Sequence, residues 1–114
     1  MTEEEEGIRY ISITDTRARK LEKFKTEGKI PSINWAVKMG IAIGILESKK
    51  EGKEFGGRGH GVDVEGVDKQ GLFRLLVGRD IAQYGRGGLD ILIKYLSEGN
   101  DIYGVFKKYL KEST

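Results

Sequence analysis

The chain has 114 residues, 38% hydrophobic and 33% charged, with 20 Lys and Arg, 18 Asp and Glu, and no cysteine. That length accommodates one domain with a real core; the lack of Cys excludes disulfides, thiolate metal sites and cysteine nucleophiles. The formal charge of +2 is uneven, because Glu3 to Glu6 fall in an acidic tail over residues 1–7 and leave a more basic single domain over 8–114. No long apolar run follows a basic start, so neither a secretory signal nor a membrane span is expected, and the default compartment is the cytoplasm.

In chain order, Ile8 to Thr14 (IRYISIT) is dominated by β-branched and aromatic residues and predicts a short extended segment. Thr14 or Asp15 then caps a helix over Thr16 to Glu27, with Ala18, Leu21 and Phe24 or Lys25 on one side, Arg17, Arg19, Lys20 and Lys23 on the other, and Gly28 as its αL stop. Ser32, after Pro31, caps the most apolar stretch of the chain, Ile33 to Leu46, in which only Asn34 and Lys38 are polar. A helix this apolar all round is buried on several sides. Gly40 and Gly44 share one face of it and cost about 1 kcal/mol each in helix propensity, which the close approach of a second backbone would offset. Trp35, Met39, Gly40, Ile43 and Gly44 are therefore the candidate contact with a partner subunit; the plainer alternative is a glycine-softened core helix inside one protomer.

From Ser48 to Gly71 the sequence turns glycine-rich and predicts a loop that only Phe55, Val62, Val64 and Val67 could anchor. Apolar periodicity then predicts a third helix from Gly71 to about Tyr84, a break at Gly85 to Gly88 (GRGG), and a fourth helix with Leu89, Leu92, Ile93 and Leu96 inside, stopped by Gly99. A last helix follows, capped by Asn100 or Asp101. The expected class is all-α: a compact four- to five-helix domain with a short N-terminal extended segment and a Gly-rich loop, 48–71, in the middle.

Chemistry is sparse. The single histidine, His60, lies among glycines without metal-ligand spacing, and no serine sits in a recognisable nucleophile turn. Gly57, Gly59 and Gly61 match no nucleotide-binding spacing. No metal, no cofactor and no enzymatic activity are expected. Basic side chains are the stronger signal. Arg17, Arg19, Lys20, Lys23, Lys25 and Lys29, with only Glu22 and Glu27 between them, could hold a phosphate backbone without reading its sequence. Lys49, Lys50, Lys53 and Arg58 around the glycines, and Arg79 and Arg86 next to glycine, could add contacts. Aromatics are not interleaved with these bases, so stacking on unpaired bases is not the expected mode.

Two resemblances bear on this pattern. IRYISIT, then ARKLEKFKTEG, then SINWAVKMGIAIGIL looks like a ribbon-helix-helix repressor, in which the extended segment pairs between subunits and lies in the major groove. A longer likeness runs from SITDTRARKLEKFKTEGKIPSINWAVKMGIAIGILES, through Gly52 to Phe55 (GKEF), to Arg86 to Leu96 (RGGLDILIKYL), and is similar to the DndE family, the small accessory subunit of bacterial DNA phosphorothioation systems. That resemblance implies a compact helical protein, homotetrameric and without cofactor, that binds double-stranded DNA, nicked duplex preferentially, beside larger DNA-modification subunits. On the matching positions it points to Lys20, Lys23, Lys25 and Arg86. The alternatives are the repressor, an assembly adaptor that does not bind DNA and, last, an enzyme with its site at GRGHG.

Overall fold

A computed structural model describes residues 10–51, 59–101, 104 and 107, with only the backbone at 59 and 60. Its elements are β1 (Tyr10–Thr14), α1 (Asp15–Thr26), α2 (Ile33–Leu46), β2 (Gly59–Asp63), α3 (Val64–Val67), α4 (Leu72–Val77), a 3₁₀ turn (Gly78–Asp80) and α5 (Ile81–Ser97). The described chain is mostly helical, as expected, but it carries a small antiparallel sheet in which Ile11 pairs with Val62 and Ile13 with His60. Period-two alternation explains the pair: Ile11, Ile13 and Val62 are buried while Tyr10, Gly61 and Asp63 face out.

Local chemistry sets the helix starts. Thr14 Oγ1 accepts the Arg17 N–H at 3.2 Å and Ser32 Oγ accepts the Trp35 N–H at 3.0 Å, so each cap satisfies one orphan donor of the first turn. α1 ends where Gly28 takes φ +76°.

Among the described elements the α2–α5 contact is the most extensive. Leu89, Leu92 and Leu96 of α5 are buried with Val37 and Ile41 of α2, Leu21 and Phe24 of α1, and Val64 and Val67 of α3 in one core. Glycine on both helices makes the approach possible. A Cβ on Gly44 would strike the Tyr84 carbonyl; one on Gly88 would strike the Gly40 carbonyl and come within 2.6 Å of the Gly44 nitrogen. Close approach of a second backbone is thus the reason for Gly40 and Gly44, but α5 of the same chain supplies that backbone.

Two other expectations are corrected. Gly85 to Gly88 do not break a helix: Gly85, Arg86, Gly87 and Gly88 are all buried inside α5. A Cβ on Gly87 would strike the Lys49 carbonyl, and one on Gly40 would lie 2.9 Å from the Leu89 side chain. These glycines give up propensity for contact. The break falls earlier, at Gly78, whose φ of +58° ends α4 after six residues. The expected loop 48–71 also holds structure, β2 and α3, and is anchored by Val62, Val64 and Val67 as the sequence suggested. Of the last helix, Gly104 and Lys107 are described and helical, and the Asp101 carboxylate accepts the Gly104 N–H at 2.9 Å. The acidic tail, Phe55 and the remainder of that helix lie outside the described residues. Among the described residues no helix is long and apolar enough to cross a membrane.

Candidate nucleic-acid interface

α1 is held by its inner face, where Ala18, Leu21 and Phe24 are buried. At 100° per residue, Arg19, Lys20 and Lys23 then share an outward arc of roughly 100°, and all three are exposed. Lys20, Lys23 and Lys25 make no ion pair among the described residues. Arg19 pairs with Asp15 one turn back at 3.1 Å, a contact between two exposed groups that salt screens and that contributes little to stability. Lys25 projects from another flank of the helix. Lys29, beyond the end of the helix, lies 3.9 Å from Glu27 and over the Phe24 ring at 5.5 Å.

Two expected phosphate contacts are instead structural. Arg17 is only 11% exposed and donates from Nε and Nη2 to the two oxygens of Asp90, each at 2.7 Å, in a bidentate pair that fastens α1 to α5. Arg86 is 2% exposed; its Nη1 donates to the Ser12 carbonyl at 3.2 Å and its Nε to the Glu51 carbonyl at 3.4 Å. It ties β1 and the end of the α2 loop to α5 and cannot reach a duplex. Its neighbour glycines suggest a surface turn, but nothing in a short GRGG string distinguishes a buried helix from a turn.

The loop bases are also partly committed. Lys50 Nζ lies 2.8 Å from Asp80 Oδ2 and 5.3 Å from the Tyr84 ring centroid; the hydrogen bond and charge of Asp80 hold its ammonium above the ordinary lysine range. Lys49 lies 3.6 Å from Glu51. Arg58 and Lys53 lie outside the described residues, and His60 is placed by its backbone alone. Among the described residues no group of three or more His, Asp and Glu is positioned to hold a metal ion.

Of the expected subunit contact, Gly40, Ile43 and Gly44 are buried within the protomer, Gly40 and Gly44 against α5. They are corrected to core positions. Trp35 and Met39 are half-buried and pack against the same core.

α4 carries a second exposed feature. Leu72, Leu75 and Leu76 on α4 are 58%, 82% and 69% exposed. Beside them Asp68, which is buried, accepts the Phe73 and Arg74 N–H groups at 3.1 Å and Arg74 Nε at 3.0 Å. Burial alone would raise its pKa; these hydrogen bonds and the Arg74 charge outweigh it and hold the carboxyl below the ordinary range.

No protein-family model matches this chain, nor does any curated protein or solved structure.

Proposed function

We propose that this protein is a non-catalytic, DNA-binding accessory subunit that holds the duplex backbone through the outer face of α1. The observation that supports this reading is the exposure of Arg19, Lys20 and Lys23 on one arc, of which only Arg19 makes an ion pair among the described residues. Each phosphate contacted releases condensed counterions, so affinity falls with salt at a slope of about −0.9 per contact. Three bases give roughly −3 per protomer. Repetition of the face in a homo-oligomer adds weak single contacts together. The likeness to the DndE family directs the reading further, toward a DNA sulfur-modification complex in the cytoplasm.

Titration of a random-sequence duplex at several salt concentrations tests it. Steep salt dependence is expected, and the double change Lys20→Glu with Lys23→Glu is expected to abolish binding while the circular dichroism and melting temperature stay near those of the parent. A flat salt response, or unchanged binding by the double variant, rejects the α1 face. The repressor alternative predicts preference for one palindromic site; in the structure β1 takes its strand partner from its own chain. The adaptor reading, in which the bases are merely solvated, is favoured by one observation: the exposed leucines of α4.

A further inference from the structure

α4 is a short helix with apolar residues on both sides and no fully buried residue. Phe73 and Val77 pack against the core, and Leu72, Leu75 and Leu76 fall on the opposite side, again within roughly 100° of arc. Leu72 also borders an open cleft of about 430 Å³ whose wall includes Phe73, Lys38 of α2 and Lys69. Neither lysine makes an ion pair among the described residues, whereas the one carboxylate in the wall, Asp68, is buried against Arg74. The surface is thus an apolar ridge with a cationic edge.

From this arrangement we propose that α4 and its cleft form a docking site for an acidic amphipathic helix of a partner protein. Apolar side chains at i, i+3 and i+4 of the partner lie along Leu72, Leu75 and Leu76, and flanking Asp or Glu meet Lys38 and Lys69. Charge argues against a second copy of this chain as the occupant. A two-fold contact through α4 brings no free carboxylate of the cleft wall to Lys38 or Lys69, because Asp68 is buried against Arg74. Area argues the same way, since three leucines offer at most a few hundred Å² against the roughly 800 Å² per partner of a stable interface. A single helix matches that size. The site shares no residue with the basic face of α1, so its success or failure is independent of DNA binding.

The test uses the full-length protein and two synthetic helical peptides that share a leucine face but carry either Glu or Lys at the flanking positions. Methyl NMR of Leu72, Leu75 and Leu76 reports occupancy, and sedimentation reports self-association. The Glu peptide is expected to shift these methyls and to bind about tenfold or more tightly than the Lys peptide. Leu75→Ser with Leu76→Ser, at sites too exposed to unfold the chain, is expected to weaken the Glu peptide about tenfold or more. Lys38→Glu with Lys69→Glu is expected to invert the peptide preference, and Lys20→Glu with Lys23→Glu to leave it unchanged. Equal binding of both peptides, no methyl shift at millimolar Glu peptide, or a self-associated parent that the Leu75→Ser/Leu76→Ser variant dissociates would each overturn the proposal, the last in favour of a second copy.

Discussion

The α2–α5 seam and α4 are drawn from the same apolar alphabet and end in opposite environments. In the seam, glycines on both helices let the backbones meet, and Leu89, Leu92 and Leu96 are sealed beneath. In α4, three leucines stand in solvent although Phe73 beside them is packed. Composition did not decide between these outcomes. Helix length and backbone proximity did: α5, 17 residues long, packs along α2, whereas α4 has six between Gly71 and Gly78 and can turn only one side inward.

Breaking the seam should have the largest effect. Gly88→Ala places a methyl against the Gly40 carbonyl and the Gly44 nitrogen, both backbone atoms that cannot rotate away. The helices must separate, and a loss of about 3 kcal/mol or more is expected, beyond the ordinary cost of overpacking. Gly99→Ala is the control: nothing lies within 4 Å of its Cβ, and only the left-handed φ of +90° opposes it, at about 1 kcal/mol. Chemical denaturation of both variants reads the difference. Equal midpoints would mean that close packing is not why α5 carries glycine.

A leucine pair sharpens the contrast from the side-chain direction. Leu89→Ala empties a fully buried site and should cost about 2–5 kcal/mol, while Leu75→Ala, at 82% exposure, should stay within about 0.5 kcal/mol. Thermal melts of the two variants give the ordering; a large loss at Leu75 would show that α4 is covered in solution.

Much of this was legible in the sequence. The caps at Thr14 and Ser32, the stop at Gly28, the extended start and the buried second helix all follow from residue types whose local chemistry acts over three or four positions. The continuity of α5 through GRGG was not, because a glycine that ends a helix and a glycine that admits a neighbouring helix are the same letter. The difference lies in what stands opposite, forty or more residues away in sequence for Gly44 and Gly88. The candidate site divides along the same line. Lys20 and Lys23 sit on the face that helical spacing gives them. The same spacing sets Arg17 on the buried side, four and seven residues before Leu21 and Phe24, where Asp90 meets it. Arg86 is held by the Ser12 and Glu51 carbonyls, distant partners that no local pattern announces.

Arg86 gives the next test. Arg86→Met preserves much of the side chain's bulk but leaves the Ser12 and Glu51 carbonyls without this donor. An unsatisfied buried acceptor costs about 1–3 kcal/mol. Stability should fall by about 2 kcal/mol, with DNA binding by the remaining folded protein unchanged. A stable variant with weakened DNA binding would return Arg86 to the interface.

The smallest effect belongs to Asp68, and pH isolates it. Its carboxylate holds the Phe73 and Arg74 N–H groups at the start of α4, and these bonds, with the Arg74 charge, depress its folded-state pKa despite burial. A carboxyl whose pKa is lower folded than unfolded stabilises fully above its unfolded value, and that contribution fades as pH falls through the folded value. Acidification should therefore loosen α4 first, because no residue of that helix is fully buried to hold it. Amide exchange at Phe73 and Arg74 should accelerate relative to α5 as pH drops below the ordinary carboxylate range, after correction for the intrinsic pH dependence of exchange. Asp68→Ala should lower protection there at neutral pH by about 1 kcal/mol, the usual worth of a lost cap, and remove the acid-dependent step. If α4 and α5 lose protection together in the parent protein, α4 is not the separately weak element that its exposed leucines describe, and the contrast between the two regions does not extend to their stability.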